Sequence, residues 1–380
     1  MLRIGVIGGG QLGRMFALDA KRMGFHVVVL DPQEHSPCGQ VADEQIIAKY
    51  DDASAIEELG KKTDVVTYEF ENIAIGSVEY LERRGYTVLP SSKVLKITQD
   101  RLLEKQFVRD CGISVPEFAA VERLDDFAKA SMKIGLPAVM KTARGGYDGK
   151  GQWRVTASDD VKLAFAQAKG ARLIYERLIS FTKELSVVAT RNRHDEVVTY
   201  PPSENIHDQG ILTMSIAPAR VTKGVATQAQ EMAATIGRKL EIVGTYCVEF
   251  FLNGQTLLMV NEIAPRPHNS GHYTMDATPC SQYEQHIRAI CDLPLSPPTL
   301  LSNAIMCNIL GTGTGDELLG IPELLANPSI VLHLYGKRHA VDRRKMGHFT
   351  MLVDGPITQT QIDRALAAHK LLHWGPSVEA

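Results

Sequence analysis

Over residues 1–90, short apolar runs alternate with stretches of helical periodicity. Arg3–Ile7 predicts a strand, Gln11–Met23 a helix and His26–Leu30 a second strand. Glu44–Ala48 and Asp64–Thr67 read as further strands, Ile73–Arg84 as a helix and Tyr86–Leu89 as a last strand. Apolar strands separated by helices argue a parallel sheet covered on both faces. Ser91–Thr98 is the expected crossing out of this unit. Asp100–Arg109 then forms an amphipathic helix ending near Gly112, and Leu124–Ile134 another helix. Pro137–Val155 is built differently: an apolar strand ends on Lys141, a second runs from Gln152 to Val155, and Gly145, Gly146, Gly149 and Gly151 lie between them. Arg172–Ile179 is a strand and another begins at Lys183, whereas Asn205–Leu212 reads as a loop and Ala226–Leu240 as a periodic helix. Two apolar runs flank Asn253-Gly254, a hairpin signal. Ala304–Leu310 and Ile330–Leu334 read as strands, and Gln361–Leu371 as a closing helix.

A chain of 380 residues exceeds what one ordinary core holds. The pattern divides it into an α/β unit over residues 1–98, a second over 99–295 and a smaller third over 296–380. Charge changes the picture little: 41 basic against 44 acidic residues leave −3. No basic tract points to nucleic acid and no acidic tail to disorder. Met1–Gly8 reads as a first strand, not a signal peptide, and no apolar run approaches a membrane span. Six scattered cysteines without a Cys-x-x-Cys pair fit reduced thiols of a cytoplasmic protein.

Several stretches carry candidate chemistry. The glycines between Lys141 and Gln152 let main-chain amides approach an anion, so this hairpin can act as a flap over phosphates, with Lys141 as a fixed cation. A solvated hairpin tip is the competing reading. Gly8-Gly-Gly10-Gln-Leu-Gly13 fits the dinucleotide fingerprint, with Asp31 at the spacing of a ribose-binding carboxylate. Physically it licenses amides at a helix N-terminus that can hold some phosphate. Glu69 and Glu71 share one face at the end of a strand and can bond a substrate amine or hydroxyl. Glu176–Ile179 followed by Glu184 suits an adenine slot with a ribose carboxylate; a plain strand pair fits almost as well. In the Asn253-Gly254 hairpin a four-residue loop pairs Glu249 near Val260, leaving Glu262 its diagonal neighbour at about 7–8 Å. Two such glutamates can grip Mg²⁺. Asn261-Glu-Ile-Ala-Pro-Arg266-Pro-His268-Asn269-Ser-Gly-His272 then packs amide, carboxylate, guanidinium and imidazole into one proline-stiffened loop. His333–Arg338 and Arg343–Phe349 form a basic cluster, either an anion site or a solvated face.

Taken together, the flap, the glutamate pair and the Pro-Arg-Pro-His-Asn-Ser-Gly-His run resemble the ATP-grasp superfamily. Gly-Gly-Gly-Gln-Leu-Gly-Arg-Met and Gly-Gly-Tyr-Asp-Gly-Lys-Gly-Gln resemble its 5-(carboxyamino)imidazole ribonucleotide synthase branch over essentially the whole chain. The resemblance implies an α/β fold: a Rossmann-like pre-ATP-grasp domain, a central ATP-grasp domain with its flap subdomain at about 115–182, and a small C-terminal substrate-side domain. It implies ATP contacts at Arg101, Lys141, Gly146, Tyr147, Asp148, Gly149, Lys150, Gly151, Gln152, Glu176, Arg177, Leu178, Ile179, Glu184, His207, Asn261 and Glu262. It implies magnesium ligands, with manganese as a substitute, at Glu249 and Glu262, and aminoimidazole ribonucleotide contacts at Tyr147, Asp148, Lys150, Lys337 and Arg344. Glu69 or Glu71 would help there, with Gly10, Gln11 and Leu12 framing the ribonucleotide, while Arg266, His268 and Asn269 are placed for bicarbonate beside catalytic Lys141. The implied reaction is ATP-dependent carboxylation through carboxyphosphate in purine synthesis, without NAD; a homodimer is the default assembly, as the commonest soluble oligomer. Lys150 departs from the branch, where arginine is common, and a point charge there replaces a planar fork.

Three alternatives stay open on sequence. A formate-dependent glycinamide ribonucleotide formyltransferase shares the architecture. A dehydrogenase would rest on Gly8–Gly13 and Asp31, leaving the glutamate pair unexplained. An ATP-binding regulator without turnover would not need an intact acidic pair.

Overall fold

The structure is a computed structural model and describes residues 2–146, 150–313 and 315–375. Its first sheet is built from β1 (Arg3–Ile7), α1 (Gln11–Arg22), β2 (His26–Leu30), β3 (Glu44–Ile46), α2 (Ala53–Lys62), β4 (Val65–Tyr68), α3 (Ile75–Arg83) and α4 (Ser92–Thr98). Four parallel strands run in the order β3-β2-β1-β4. Alternation decides the faces: Val6, Val27 and Val29 pack on Met15 and Phe16 of α1, while Ile7, Val28 and Leu30 pack on Ile56, Leu59 and Leu81 of α2 and α3. This is the expected doubly covered parallel sheet. The strand expected at Tyr86–Leu89 is only a bridge, Val66 to Val88. Helix α2 escaped the periodicity, although Asp52 caps it by accepting from Ser54 N and Ala55 N.

After α5 (Arg101–Asp110) come β5 (Phe118–Val121), α6 (Leu124–Ile134), β6 (Ala138–Thr142), β7 (Gln152–Val155), α7 (Ser158–Ala168) and β8 (Leu173–Arg177). Their sheet has the order β5-β8-β6-β7, with α6 and α7 packed against it through Ala130, Ile134, Val161 and Ala164. The hairpin of β6 and β7 is the expected flap, and Tyr147, Asp148 and Gly149, expected to contact ATP and the ribonucleotide, lie outside the described residues.

The largest sheet takes in β9 (Lys183–Arg191), β10 (Val197–Thr199), β11 (Ser203–Asp208), β12 (Ile211–Ala217), then after α8 (Lys223–Lys239) β13 (Gly244–Asn253) and β14 (Leu257–Ala264). Helices α9 (Thr274–Ala277) and α10 (Gln282–Ile290) follow, then β15 (Asn303–Leu310), β16 (Glu317–Leu319), α11 (Ile321–Leu325), β17 (Ile330–Leu334), β18 (Lys345–Val353), α12 (Gln359–His369) and β19 (His373–Gly375). The antiparallel order is β14-β13-β9-β11-β12-β15-β18-β17, with β10 alongside β9. The strands after residue 296 thus extend the same sheet that carries the glutamate hairpin, and β16 pairs with β19 apart from it. The expected loop at Asn205–Leu212 is corrected to a hairpin. Gln209 and Gly210 both have positive φ, which is the two-residue turn that matches strand twist. Among the described residues no helix is long and apolar enough to cross a membrane.

Candidate active site

The hairpin of β13 and β14 departs from the expected register in a way that matters chemically. Asn253 pairs with Leu257 and Phe250 with Val260, so three residues, not four, close the turn. Beyond Val260 a bulge intervenes, and Glu249 then stands directly opposite Glu262. Phe250 and Val260 face the core beneath α8. Without the extra residue, period-two alternation would turn Glu262 into that core; the bulge flips it onto the face of Glu249.

Around this pair lie two adjoining cavities of about 460 and 430 Å³. Arg101, Glu262, His268, Asn269 and Lys345 border both. The second is lined by Lys141 and Gln152 of the flap, by Glu176 and Arg177 at the end of β8 with Leu178 and Ile179 after it, and by Glu184, His207, Glu249 and Asn261. The first is lined by Gln11, Leu12, Glu69, Glu71, Gly146 and Arg266. Most of the expected nucleotide residues thus line the second cavity, but Gly146 lines the first, and of the expected bicarbonate residues Arg266 lines the first alone while His268 and Asn269 border both. Gly10, Lys150, Gly151, Lys337 and Arg344 line neither cavity, and Lys150 is exposed. Lys337 Nζ donates to the main-chain oxygen of Lys345 at 2.6 Å, and the Arg344 backbone belongs to the turn that enters β18.

Burial and charge set the state of each group. Lys141 and Glu176, both buried, pair at 2.9 Å; burial opposes the Glu176 charge, but Lys105 at 3.6 Å and Lys141 together hold its pKa below the ordinary value. Burial likewise opposes the charge on Glu262, yet Arg101, donating at 2.8 Å, holds it at about 2. Among the described residues Glu249 has no guanidinium partner, and burial, then the charge of Glu262, outweigh His207 and Lys345 to push it up to about 8. His268 sits 3.3 Å from Glu249, and burial followed by the Arg266 charge lowers it to about 3, so it is neutral at pH 7. His207 Nδ1 pairs with Glu184 at 2.7 Å, and that carboxylate outweighs burial to raise the imidazole pKa. Arg266 is held by Glu71.

Several buried polar atoms here have no partner among the described residues: Asn261 Oδ1, Glu176 Oε1 and both side-chain amide atoms of Asn269. Buried polar atoms without partners are costly, so these cavities suit polar ligands. An unpaired amide oxygen beside two buried carboxylates that repel one another is an all-oxygen donor set that fits a hard divalent cation.

The glycine loop behaves differently from expectation. Gly9 N donates to Asp31 Oδ2, and Gly10 N and Gly13 N donate to the two oxygens of Glu69. Asp31 also accepts from Gln33 N and Tyr50 OH. The amides of the fingerprint are therefore engaged by carboxylates of the chain itself, and Asp31 is turned inward.

Sequence reasoning missed Glu104, Lys105 and Arg144, and passed over Lys345 within its basic run. Glu104 and Lys105 look like ordinary helix-surface charges; only the packing of α5 on β14 buries them. The one signal for Lys345 was its place at the start of an apolar alternation, Lys345–Val353, that went unread as a strand.

Three family models match the chain in succession: the ribonucleotide synthetase preATP-grasp domain over residues 1–99, the ATP-grasp domain over 106–283 and the phosphoribosylaminoimidazole carboxylase C-terminal domain over 304–357. The chain is 45% identical to the N5-carboxyaminoimidazole ribonucleotide synthase of Bacillus subtilis (strain 168) over 353 residues, 92% of this chain and 91% of that one. It is similar to the Staphylococcus aureus N5-carboxyaminoimidazole synthetase complexed with ADP, with a TM-score of 0.90, 40% identity and 97% coverage of each chain. It is also similar to the Aspergillus clavatus N5-carboxyaminoimidazole synthase in complex with ADP and 5-aminoimidazole ribonucleotide, with a TM-score of 0.89, 31% identity, and coverage of 97% of this chain and 98% of that one. With its cavities meeting at Glu262 and its three domain matches in order, the chain belongs to the N5-carboxyaminoimidazole ribonucleotide synthase family of ATP-grasp ligases.

Proposed function

We propose that this enzyme carboxylates 5-aminoimidazole ribonucleotide with bicarbonate at the expense of ATP, giving N5-carboxyaminoimidazole ribonucleotide, ADP and phosphate in de novo purine synthesis. The observation that carries this is the pair of cavities joined at Glu262, His268 and Asn269: one is suited to a nucleotide and the other to a second polar substrate. The names of the relatives and their ADP and ribonucleotide complexes support it.

Bicarbonate oxygen attacks the γ-phosphorus; the bond to the β,γ-bridging oxygen breaks, and ADP leaves carboxyphosphate behind. The exocyclic amine of the ribonucleotide then takes the carboxyl carbon, phosphate departs, and the amine proton passes to that phosphate or to a carboxylate of the first cavity. Lys141 is held buried by Glu176 and supplies fixed positive charge to the phosphates without reorganising. Arg266, braced by Glu71, and the free amide of Asn269 orient bicarbonate, with neutral His268 as a hydrogen-bonding wall. Leu178 and Ile179 offer an apolar slot for adenine, and Glu184, aligned by His207, a carboxylate for ribose. Magnesium, or manganese in its place, when bound supplies charge to the transferring phosphoryl oxygens; Glu249 and Glu262 would hold it, with Asn261 beside them. The flap shields carboxyphosphate from water. Gln11, Leu12 and Glu69 face the ribonucleotide.

The same proposal divides the chain at 1–98, 99–295 and 296–380. It places the enzyme in the cytoplasm, which suits its unpaired cysteines, as a homodimer, the commonest closed assembly. The test is phosphate release from Mg-ATP and bicarbonate, with and without 5-aminoimidazole ribonucleotide. Release should rise sharply with the ribonucleotide and fall when bicarbonate is stripped out. Release that ignores both and responds to formate with glycinamide ribonucleotide would reassign the substrates.

A further inference from the structure

Strand β14 lies at the edge of its sheet, with β13 on one side only. Its outward main-chain groups therefore need partners that no neighbouring strand supplies. Before the bulge the solution is ordinary, for Val260 N donates to the main-chain oxygen of Ser114 at 2.8 Å. Past it, two consecutive charged side chains of α5 take over. Lys105 Nζ donates to the Asn261 carbonyl at 3.1 Å, and Glu104 Oε1 accepts from Ile263 N at 2.6 Å. These two backbone groups flank Glu262 on either side. Both side chains are almost wholly buried, at 1% and 3% exposure. One turn earlier on the same helix, Arg101 holds the Glu262 carboxylate itself.

We propose that Glu104 and Lys105 are positioning residues that lock the bulge and so keep Glu262 turned onto the face of Glu249. The physical reason is the period of the strand. A bulge is one residue away from a regular ladder, and a slip of one residue points Glu262 into the core beneath α8. On the open edge of the strand, the carbonyl before Glu262 and the amide after it change place between the two registers, and these are the groups that Lys105 and Glu104 bind. Lys105 also sits 3.6 Å from Glu176, which ties the bulge to the carboxylate that holds Lys141. The inference rests on the proposed metal-binding role of Glu249 and Glu262, not on which acceptor is carboxylated.

Calorimetric binding of Mn²⁺ to the full-length enzyme preloaded with ADP tests it, since that readout needs no turnover. Lys105→Met keeps the stem but cannot donate to Asn261, and Mn²⁺ affinity should fall about tenfold or more, as for groups that orient metal ligands. Metal-free ADP binding should be unchanged in Glu104→Leu, because Glu104 lines the first cavity and not the second, and Lys105→Arg, which can still donate, should recover Mn²⁺ affinity. Glu104→Gln retains an acceptor for Ile263 N and should bind Mn²⁺ as the parent does, whereas Glu104→Leu should behave as Lys105→Met. The Glu104 pair decides the matter if Lys105→Met does not fold. Mn²⁺ binding unaltered in folded Lys105→Met or in Glu104→Leu overturns the proposal. An enzyme that binds Mn²⁺ normally but carboxylates nothing overturns the function and leaves the clamp intact.

Discussion

Gly10 N donates to one oxygen of the Glu69 carboxylate, and Gly13 N donates at 2.7 Å to the other. A loop with the shape of a dinucleotide fingerprint is thereby closed by a side chain from the neighbouring strand. A Cβ at Gly10 would lie 2.5 Å from Glu69 Oε1. Gly10→Ala adopts the extended backbone without strain but must displace the carboxylate, losing charge-assisted bonds at a cost of about 2 kcal/mol. KM for the ribonucleotide should rise and KM for ATP should not, because only the first cavity contains Glu69. Steady-state kinetics with each substrate varied separately checks this; a rise in both would mean the loop serves the whole site.

The same closure predicts the response to dinucleotides. Asp31 is buried and accepts from Gly9 N, Gln33 N and Tyr50 OH, so it has little capacity left for a ribose. NADH titrated into the enzyme should give no saturable change in its fluorescence at micromolar concentrations. Saturable binding that ATP does not compete away would restore the dinucleotide reading of the first sheet.

Lys141 and Glu176 are a buried pair in which each partner neutralises the other. Lys141→Met removes the cation proposed to face the nucleotide and leaves Glu176 without its nearest partner, with Lys105 at 3.6 Å. Breaking one side of such a pair costs about 3 kcal/mol of stability, and KM for ATP should rise at least about tenfold, or 1.4 kcal/mol. Adding Glu176→Gln should restore neither the stability nor the ATP affinity, because it leaves buried Lys105 without that carboxylate and the nucleotide still without Lys141. Thermal melts and ATP kinetics of both variants check this; recovery of ATP affinity in the double variant would show that Lys141 serves only to neutralise Glu176.

Glu284 links α10 to α1 by accepting from Arg22, and within α10 it accepts from Arg288 at 2.6 Å. Burial works against its charge, but the two guanidinium groups outweigh it and hold its pKa below the ordinary 4.5. A depressed folded pKa makes the carboxylate stabilising above the unfolded value, and that contribution is lost as pH falls through the folded value. Because Arg22 is largely exposed, the contribution is about 1 kcal/mol. Glu284→Gln should therefore melt lower than the parent at pH 7, and the difference should shrink as pH drops below 4.5. A difference constant with pH would assign the loss to packing.

Much of the chemistry was legible in the chain itself. The parallel sheet of residues 1–90 follows from apolar runs set by burial on both faces, and Asn253-Gly254 with its flanking apolar runs marked the glutamate hairpin. Lys141, Arg101, the segment Glu176–Ile179, Glu184 and His207 were all named from local pattern and resemblance, and all line the second cavity. What the tertiary structure decided are relationships that no local pattern encodes. The turn of three residues and the bulge decide that Glu262 faces Glu249, because side-chain direction along a strand depends on register and reverses with a single residue. Burial decides the charges: Glu249 and Glu262 are the same residue type on paired strands, yet Arg101, distant in sequence, holds one near 2 while the other rises to about 8. Glu104 and Lys105 look like solvated helix charges until α5 packs along an edge strand that lacks a neighbour. The glycine loop carries the same lesson in reverse, for its fingerprint is genuine, but adjacency of β1 and β4 delivers Glu69 to the amides that the pattern alone would offer to a phosphate.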